Sequence, residues 1–330
     1  MPDRSLTVPQ SRDELESRLE QHRSELTAHC YRMLGSPFEA EDAVQETLIR
    51  AWRGIERFEG RAALRSWMYR IATNVCLDML QGRERRALPM DLGPSQEAAS
   101  AQLNTLPETT WIQPIPDGLV ALDGDPADVA VARESIKLAF VGALQHLPPR
   151  QRAVLIFCEV LRWKASEVAE LLETSVASVN SALQRARATL DQHDIGSEPG
   201  GTLDAADREL LSRYVDAFER YDMEALTSLI HEDATQSMPP FDLWLSGRDE
   251  ILAFWFSIGI ECRGSRVVPT MSANGSPAFG QYKPSKTGQG FDPWALQVLE
   301  LKDGVIEEMT FFLDTETLFP LFQLPLHLDV

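Results

Sequence analysis

Between Pro89 and Ala132 the sequence carries six prolines and seven acids, without one Lys or Arg. Proline has no amide hydrogen to give a helix or a central strand, and the like charges repel one another, so the segment reads as a linker without a regular core element. The 330-residue chain is also too long for one ordinary core, and it is expected to fold as separate parts on either side of that linker. One island interrupts it: Trp111-Ile112-Gln113-Pro114-Ile115-Pro116-Asp117. An apolar aromatic left in water would be uncompensated, so this island is expected to dock on another part of the protein.

The net charge of −19 would ordinarily speak against a nucleic-acid partner. Its distribution changes that reading. Residues 1–90 sum to 0 and residues 133–195 to +1, whereas residues 91–132 carry −7 and residues 196–330 carry −13. Two near-neutral blocks therefore remain in which local basic clusters can act. Apolar residues make up 44% of the chain, with no run approaching the roughly 20 needed to span a bilayer, and the N-terminus lacks the basic-then-apolar pattern of a secretory signal. A cytoplasmic protein with no membrane association is expected. Cys30, Cys76, Cys158 and Cys262 lie too far apart for a CxxC or Cys/His ligand pattern, so neither a metal site nor a disulfide framework is indicated, and buried free thiols are expected.

Residues 21–88 read as helices almost throughout. From Ala40, Val44, Leu48, Ala51, Trp52 and Ile55 recur at helical spacing, while Asp42, Glu46 and Arg50 form a charged stripe on another face. A second helix places Leu64, Trp67, Met68, Ile71 and Val75 on its apolar side, with Arg65, Arg70 and Asn74 pointing elsewhere. Arg61, Arg65, Arg70, Arg83, Arg85 and Arg86 set six positive charges against Asp78 and Glu84. Helical pattern resumes at Arg133 and runs to about Asp191, broken at Leu147-Pro148-Pro149 and near Thr174-Ser175. Its last two helices, the second presenting Ser178, Ser181 and Arg185, have the layout of a helix-turn-helix, although any helical hairpin would share the periodicity.

After the Gly/Ser/Pro-rich connector at 196–201 the pattern becomes mixed. Helices are expected over 204–230 and 248–257, and strands over 266–271, 277–282, 294–301 and 305–313, the last two joined by the Lys302-Asp303-Gly304 turn. This predicts an α+β domain with an antiparallel sheet, in which His231-Glu232-Asp233 ends a helix.

Four strings, EAEDAVQETLIRAW at 39–52, SWMYRIATN at 66–74, LPPRQRAVL at 147–155 and SVNSALQRAR at 178–187, together resemble the extracytoplasmic-function sigma factors of bacterial RNA polymerase. Residues 204–330 resemble, more loosely, a SnoaL-like (NTF2-like) cone. The resemblance implies a multidomain protein of two all-α domains and an α+β cone: sigma region 2 at 21–88, a linker at 89–132, the helix-turn-helix region 4 at 133–193, and a regulatory domain at 204–330. It implies a factor, monomeric before it meets polymerase, that directs core RNA polymerase to promoter DNA and performs no catalysis. Asp42, Gln45, Glu46 and Arg50 would meet core polymerase. Asn74, beside a pocket for a flipped base, would act with Arg61, Arg65, Arg70, Arg83, Arg85 and Arg86 at the −10 element. Ser178, Asn180, Ser181, Gln184, Arg185 and Arg187 would meet the −35 element. Asn180 and Ala182 stand where the commoner family pattern has Lys and Arg, which predicts fewer phosphate contacts.

The cone is expected to bear on activity through contact with the linker around Trp111. No cofactor is implied. A small-molecule ligand in an apolar pocket of the C-terminal domain stays open, although Trp244, Trp255 and Trp294 read as core rather than cage. Two other readings are a ligand-responsive helix-turn-helix regulator that works without polymerase, and an isomerase or cyclase using His231, Asp233 or Asp292 as base.

Overall fold

The computed structural model describes residues 17–55, 58, 63–120, 134–191, 203–286 and 288–329. The chain divides into two compact units, with boundaries after Arg86, Gly118 and Pro199, so that the linker segment Ala87–Gly118 belongs with the C-terminal part.

The first unit is helical. Helix α1 (Arg23–Leu34) ends at Gly35, whose φ of 73° is the left-handed conformation that closes a helix without a Cβ penalty. Helix α2 (Pro37–Gly54) starts on the Ser36 side chain, which accepts from the Glu39 N–H, with proline at the first turn where its missing amide costs nothing. Helix α3 (Leu64–Leu80) packs beside both. Then follow α4 (Leu138–Gln145), α5 (Pro149–Leu155, running into a π-helical turn at Ile156–Val160), α6 (Ala165–Leu171) and α7 (Val176–Leu190).

What joins the early and late helices of this unit is buried and polar. Arg32 donates through Nε to the Ser135 carbonyl at 3.2 Å and to its Oγ at 3.0 Å. Arg152, 2% exposed, donates to the carbonyls of Met33, Gln145 and Leu147, so one guanidinium closes the end of α1 and the α4–α5 turn together. An aromatic cluster lies alongside: His29, Tyr69, Phe157 and Trp163 have neighbouring centroids 5.0–5.8 Å apart. Burial, and then the nearby Arg32 charge, lowers the His29 imidazole to about 3, so it packs neutral against the Thr73 hydroxyl at 3.0 Å.

The second unit is a cone. Helices α8 (Ala205–Arg220) and α9 (Met223–Leu229) precede a six-stranded sheet of order β2-β1-β6-β5-β4-β3. Its strands are β1 (Ile230–Ser237), β2 (Trp244–Ser246), β3 (Arg266–Pro269), β4 (Ala278–Pro284), β5 (Phe291–Lys302) and β6 (Val305–Phe312). Helix α10 (Arg248–Phe256) packs against β1, and α11 (Thr315–Leu321) against β5.

Three expectations are corrected here. The helix expected over 204–230 breaks at Tyr221, which takes φ 56°, and His231-Glu232-Asp233 lies inside β1 rather than ending a helix. That strand was hidden because its register shifts between Ile230 and Thr235, which interrupts the polar/apolar alternation that marks a strand. The sheet is also not wholly antiparallel, since β1 runs parallel to β6. Cys30 and Cys76 are buried as expected, whereas Cys158 and Cys262 are half-buried.

Candidate nucleic-acid interface and linker clasp

Helix α7 stands on a sharp turn after α6, with Glu173 at φ 51° and the Ser175 side chain accepting from Ser178 N–H at 3.1 Å. Val179 and Ala186 face inward, and this leaves Ser178, Asn180, Ser181, Gln184, Arg185 and Arg187 exposed. A serine, asparagine and glutamine offer both donors and acceptors, which suits base edges, while Arg185 suits a phosphate or guanine. Arg187 is drawn into an ion pair with Glu159, its Nε 3.1 Å from the carboxylate.

The arginines around α3 are mostly held by their own chain. Arg65 donates to Glu25 at 2.7 Å and lies over the rings of Tyr69 and Trp163. Burial alone would raise the Glu25 carboxyl, but hydrogen bonds from His22 and Arg65 outweigh it and hold the group below the usual carboxylate range. Arg70 sits 3.8 Å from Glu173, at the α6–α7 turn. Arg83 and Arg86 share Glu39, at 2.6 Å and 3.1 Å; Arg86 is only 7% exposed and Arg83 is at the surface. Arg85 is exposed and meets the His146 ring at 2.6 Å, and Asn74 is exposed. Arg61 lies outside the described residues.

On α2, Asp42, Gln45 and Arg50 are exposed and Glu46 is half-buried, with Arg50 bridging Glu46 at 2.7 Å and Asp78 at 3.4 Å. The same side of the helix exposes Ile49 and Trp52, each 43% accessible. Trp52 therefore leaves the core stripe to which its spacing assigned it. Trp67 is likewise half-buried, stacked on Phe58 at 5.0 Å. Two large apolar side chains thus stand among charges on one exposed helix face, and helical spacing alone did not separate them from the core.

The linker segment is fastened to the cone. Trp111, Ile112 and Ile115 are at most 3% exposed, so the island docks as expected. Backbone N–H groups of Gln96, Leu106 and Asp117 donate to the carbonyls of Trp244, Pro240 and Ser272, and Asp242 and Asn274 donate back to Asn104 and Ile115. Side chains complete the clasp: Asn274 Oδ1 accepts from Ile115 N–H at 2.9 Å, Glu250 from Ala98 N–H at 2.7 Å, and Trp244 Nε1 donates to Gly93 at 2.9 Å. Trp244 is thus a linker contact rather than core. Nothing in the periodicity singled out Asn274 or Glu250, because a clasp on backbone amides needs only a single acceptor side chain.

The three candidate bases do not come together. His231 and Asp233 stand on β1, and Asp292 lies 3.3 Å from His327. The cavity inside the cone is about 30 Å³, walled in part by Trp255, Trp294, Phe218 and Gln236. That is room for about one water. Tyr214, Gln297, Gln281 and Ser265 form a buried run of hydrogen bonds at 2.9–3.1 Å between helix α8 and the sheet.

A helix-turn-helix with an exposed polar recognition face, a second helical block and a cone that clasps the intervening linker define a multidomain transcription protein as the class. Family models agree segment by segment: Sigma-70 region 2 matches residues 19–86, Sigma-70 region 4 residues 137–190, and a SnoaL-like domain residues 211–309. The chain is 43% identical over 322 residues to the ECF RNA polymerase sigma factor SigG of Mycobacterium tuberculosis, covering 95% of this chain and 85% of that relative. The Bacillus subtilis ECF sigma factor SigW is 31% identical over 49% of this chain and 78% of its own length. In fold, the crystal structure of M. tuberculosis SigJ matches 96% of this chain and all of that one, with TM-score 0.59 at 22% identity. The chain belongs to the ECF RNA polymerase sigma factors. Among the described residues no helix is long and apolar enough to cross a membrane.

Proposed function

We propose that this sigma factor recognises promoters through two separate surfaces and is tuned by its cone through the linker. Core polymerase meets α2 through Asp42, Gln45, Glu46 and Arg50, joined by Ile49 and Trp52. The −35 duplex meets α7 through Ser178, Asn180, Ser181, Gln184 and Arg185, with Arg187 at the flank. The −10 element meets Asn74, Arg61, Arg65, Arg70, Arg83 and Arg85, and Arg86 serves chiefly to fix Glu39. The protein works in the cytoplasm and makes no covalent change in its partners. The functional parts are those of the notional boundaries 21–88, 133–193 and 204–330, with the linker acting as the cone's lever.

The observation that carries the lever is the clasp: among the described residues, main-chain and side-chain hydrogen bonds tie 93–117 to the cone, and the same stretch connects the two helical blocks. A linker held there is withheld from other partners. Run-off transcription with core polymerase tests it. Asn274→Gly keeps the residue's left-handed backbone, φ 55°, while removing its acceptor, and Trp244→Phe removes the bond to Gly93. Together they should change promoter-specific transcript several-fold and expose the linker to protease. Wild-type transcript from a protein whose linker has become protease-sensitive sinks the lever.

A further inference from the structure

The seam between the linker segment and the cone holds a half-open pocket of about 410 Å³, whereas the cone's interior keeps about 30 Å³. The larger volume falls in the range of small-ligand pockets. Its apolar wall comes from both sides, with Leu106 and Trp111 from the linker and Phe241, Phe312 and Leu318 from the cone. Its charge has one sign. Glu108 from the linker and Asp314 from the cone line it, and among the described lining residues there is no Lys, Arg or His.

Both carboxylates are positioned by neighbours. Gln113 Nε2 donates to Glu108 at 2.8 Å, and the Thr317 hydroxyl donates to Asp314. A carboxylate has about four acceptor sites, so Asp314 keeps capacity for a ligand N–H after that bond. An aromatic wall with two acids and no base is complementary to an apolar body that carries a positive charge, which gains from ring faces and carboxylates at once.

We propose that this cavity binds an organic cation, its apolar body against Trp111 and Phe312 and its ammonium between Glu108 and Asp314. Because the walls belong to the linker and the cone, a bound cation stabilises the clasped linker by mass action. That consequence, though not the site, rests on the lever described above.

The full-length chain is titrated with 1-pyrenemethylammonium and with its neutral isostere 1-pyrenemethanol, followed by fluorescence. Working near 0.15 M salt, where the Debye length is about 8 Å, screens the chain's diffuse negative charge. The ammonium should bind at least tenfold more tightly than the alcohol, and Glu108→Gln with Asp314→Asn should abolish most of that preference. Gln and Asn keep acceptors for Gln113 and Thr317, so the wall should persist. Thr105→Trp, which fills the cavity from its exposed rim, should abolish binding of both probes. Equal affinity for the two probes, a preference that survives the double substitution, or binding unaffected by Thr105→Trp overturns the site. A charge-selective site whose occupancy leaves transcription unchanged keeps the site and sinks only the lever.

Discussion

Helices α3 and α7 carry the same chemistry, arginines beside small polar residues, yet the arginines of α3 are more fully engaged by their own chain. On α7, Asn180, Ser181, Gln184 and Arg185 are exposed. On α3, Arg65 is held by Glu25 and two rings, and Arg70 lies near Glu173. In the role proposed for it, α7 needs no rearrangement to meet a groove and can be built ready. A helix that handles melted DNA can keep its cations paired within its own chain and exchange those pairs for phosphates when a strand arrives. The exchange is cheap where the pair is exposed, since such pairs contribute about 0–1 kcal/mol. Arg70 should therefore release before Arg65, whose partner is half-buried and whose guanidinium lies over two rings.

The largest way to break this comparison is to remove the seam that brings α3 and the α6–α7 turn together. Arg152→Met leaves three buried carbonyls without their donor and should cost about 3 kcal/mol. It should lower the urea midpoint of the helical unit, read by Trp163 fluorescence; an unchanged midpoint would show that the guanidinium does not hold the seam. Acid acts on the same seam through His29. Its folded value of about 3 lies below the ordinary 6.5, so its contribution is complete above pH 6.5 and is lost as pH falls toward 3. His29→Gln should flatten the dependence, and equal pH slopes for the two proteins would exclude His29 as its source.

Much of this was legible in the sequence because helical periodicity and family strings act locally. The exposed row on α7 follows from Val179 and Ala186 facing inward at i, i+7. The docking of Trp111 follows from the cost of leaving an aromatic in water. What stayed hidden depends on pairing across distance. Whether Arg65 is available is decided by Glu25, 40 residues away, and the clasp by Asn274, 159 residues from Ile115. Trp52 was misplaced for a related reason: spacing gives a face, and only packing says whether that face is covered. Strand β1 was lost to its register shift, which erased the alternation by which a strand is read.

A smaller effect sharpens the comparison from the α7 side. Arg185→Ala should weaken −35 duplex binding by polymerase holoenzyme by roughly tenfold, about 1.4 kcal/mol, and relax preference at one base position. A uniform loss across sequences, with a shallower salt dependence, would reassign Arg185 to a phosphate.

The smallest expected effect tests whether α3 is held back at all. Glu173→Gln keeps the side chain's length but discharges the partner of Arg70, with a stability change under about 0.5 kcal/mol for so exposed a pair. If Arg70 exchanges one partner for another, the variant should bind a single-stranded −10 oligonucleotide up to about twofold more tightly at low salt, and the gain should vanish as salt screens the original pair. Arg70→Ala should weaken the same binding in both backgrounds. Should Arg70→Ala weaken it while Glu173→Gln leaves it unchanged at every salt concentration, the arginine is already free to act. The contrast between the two helices would then rest on Arg65 alone, whose release requires the half-buried Glu25 carboxylate to lose a hydrogen bond.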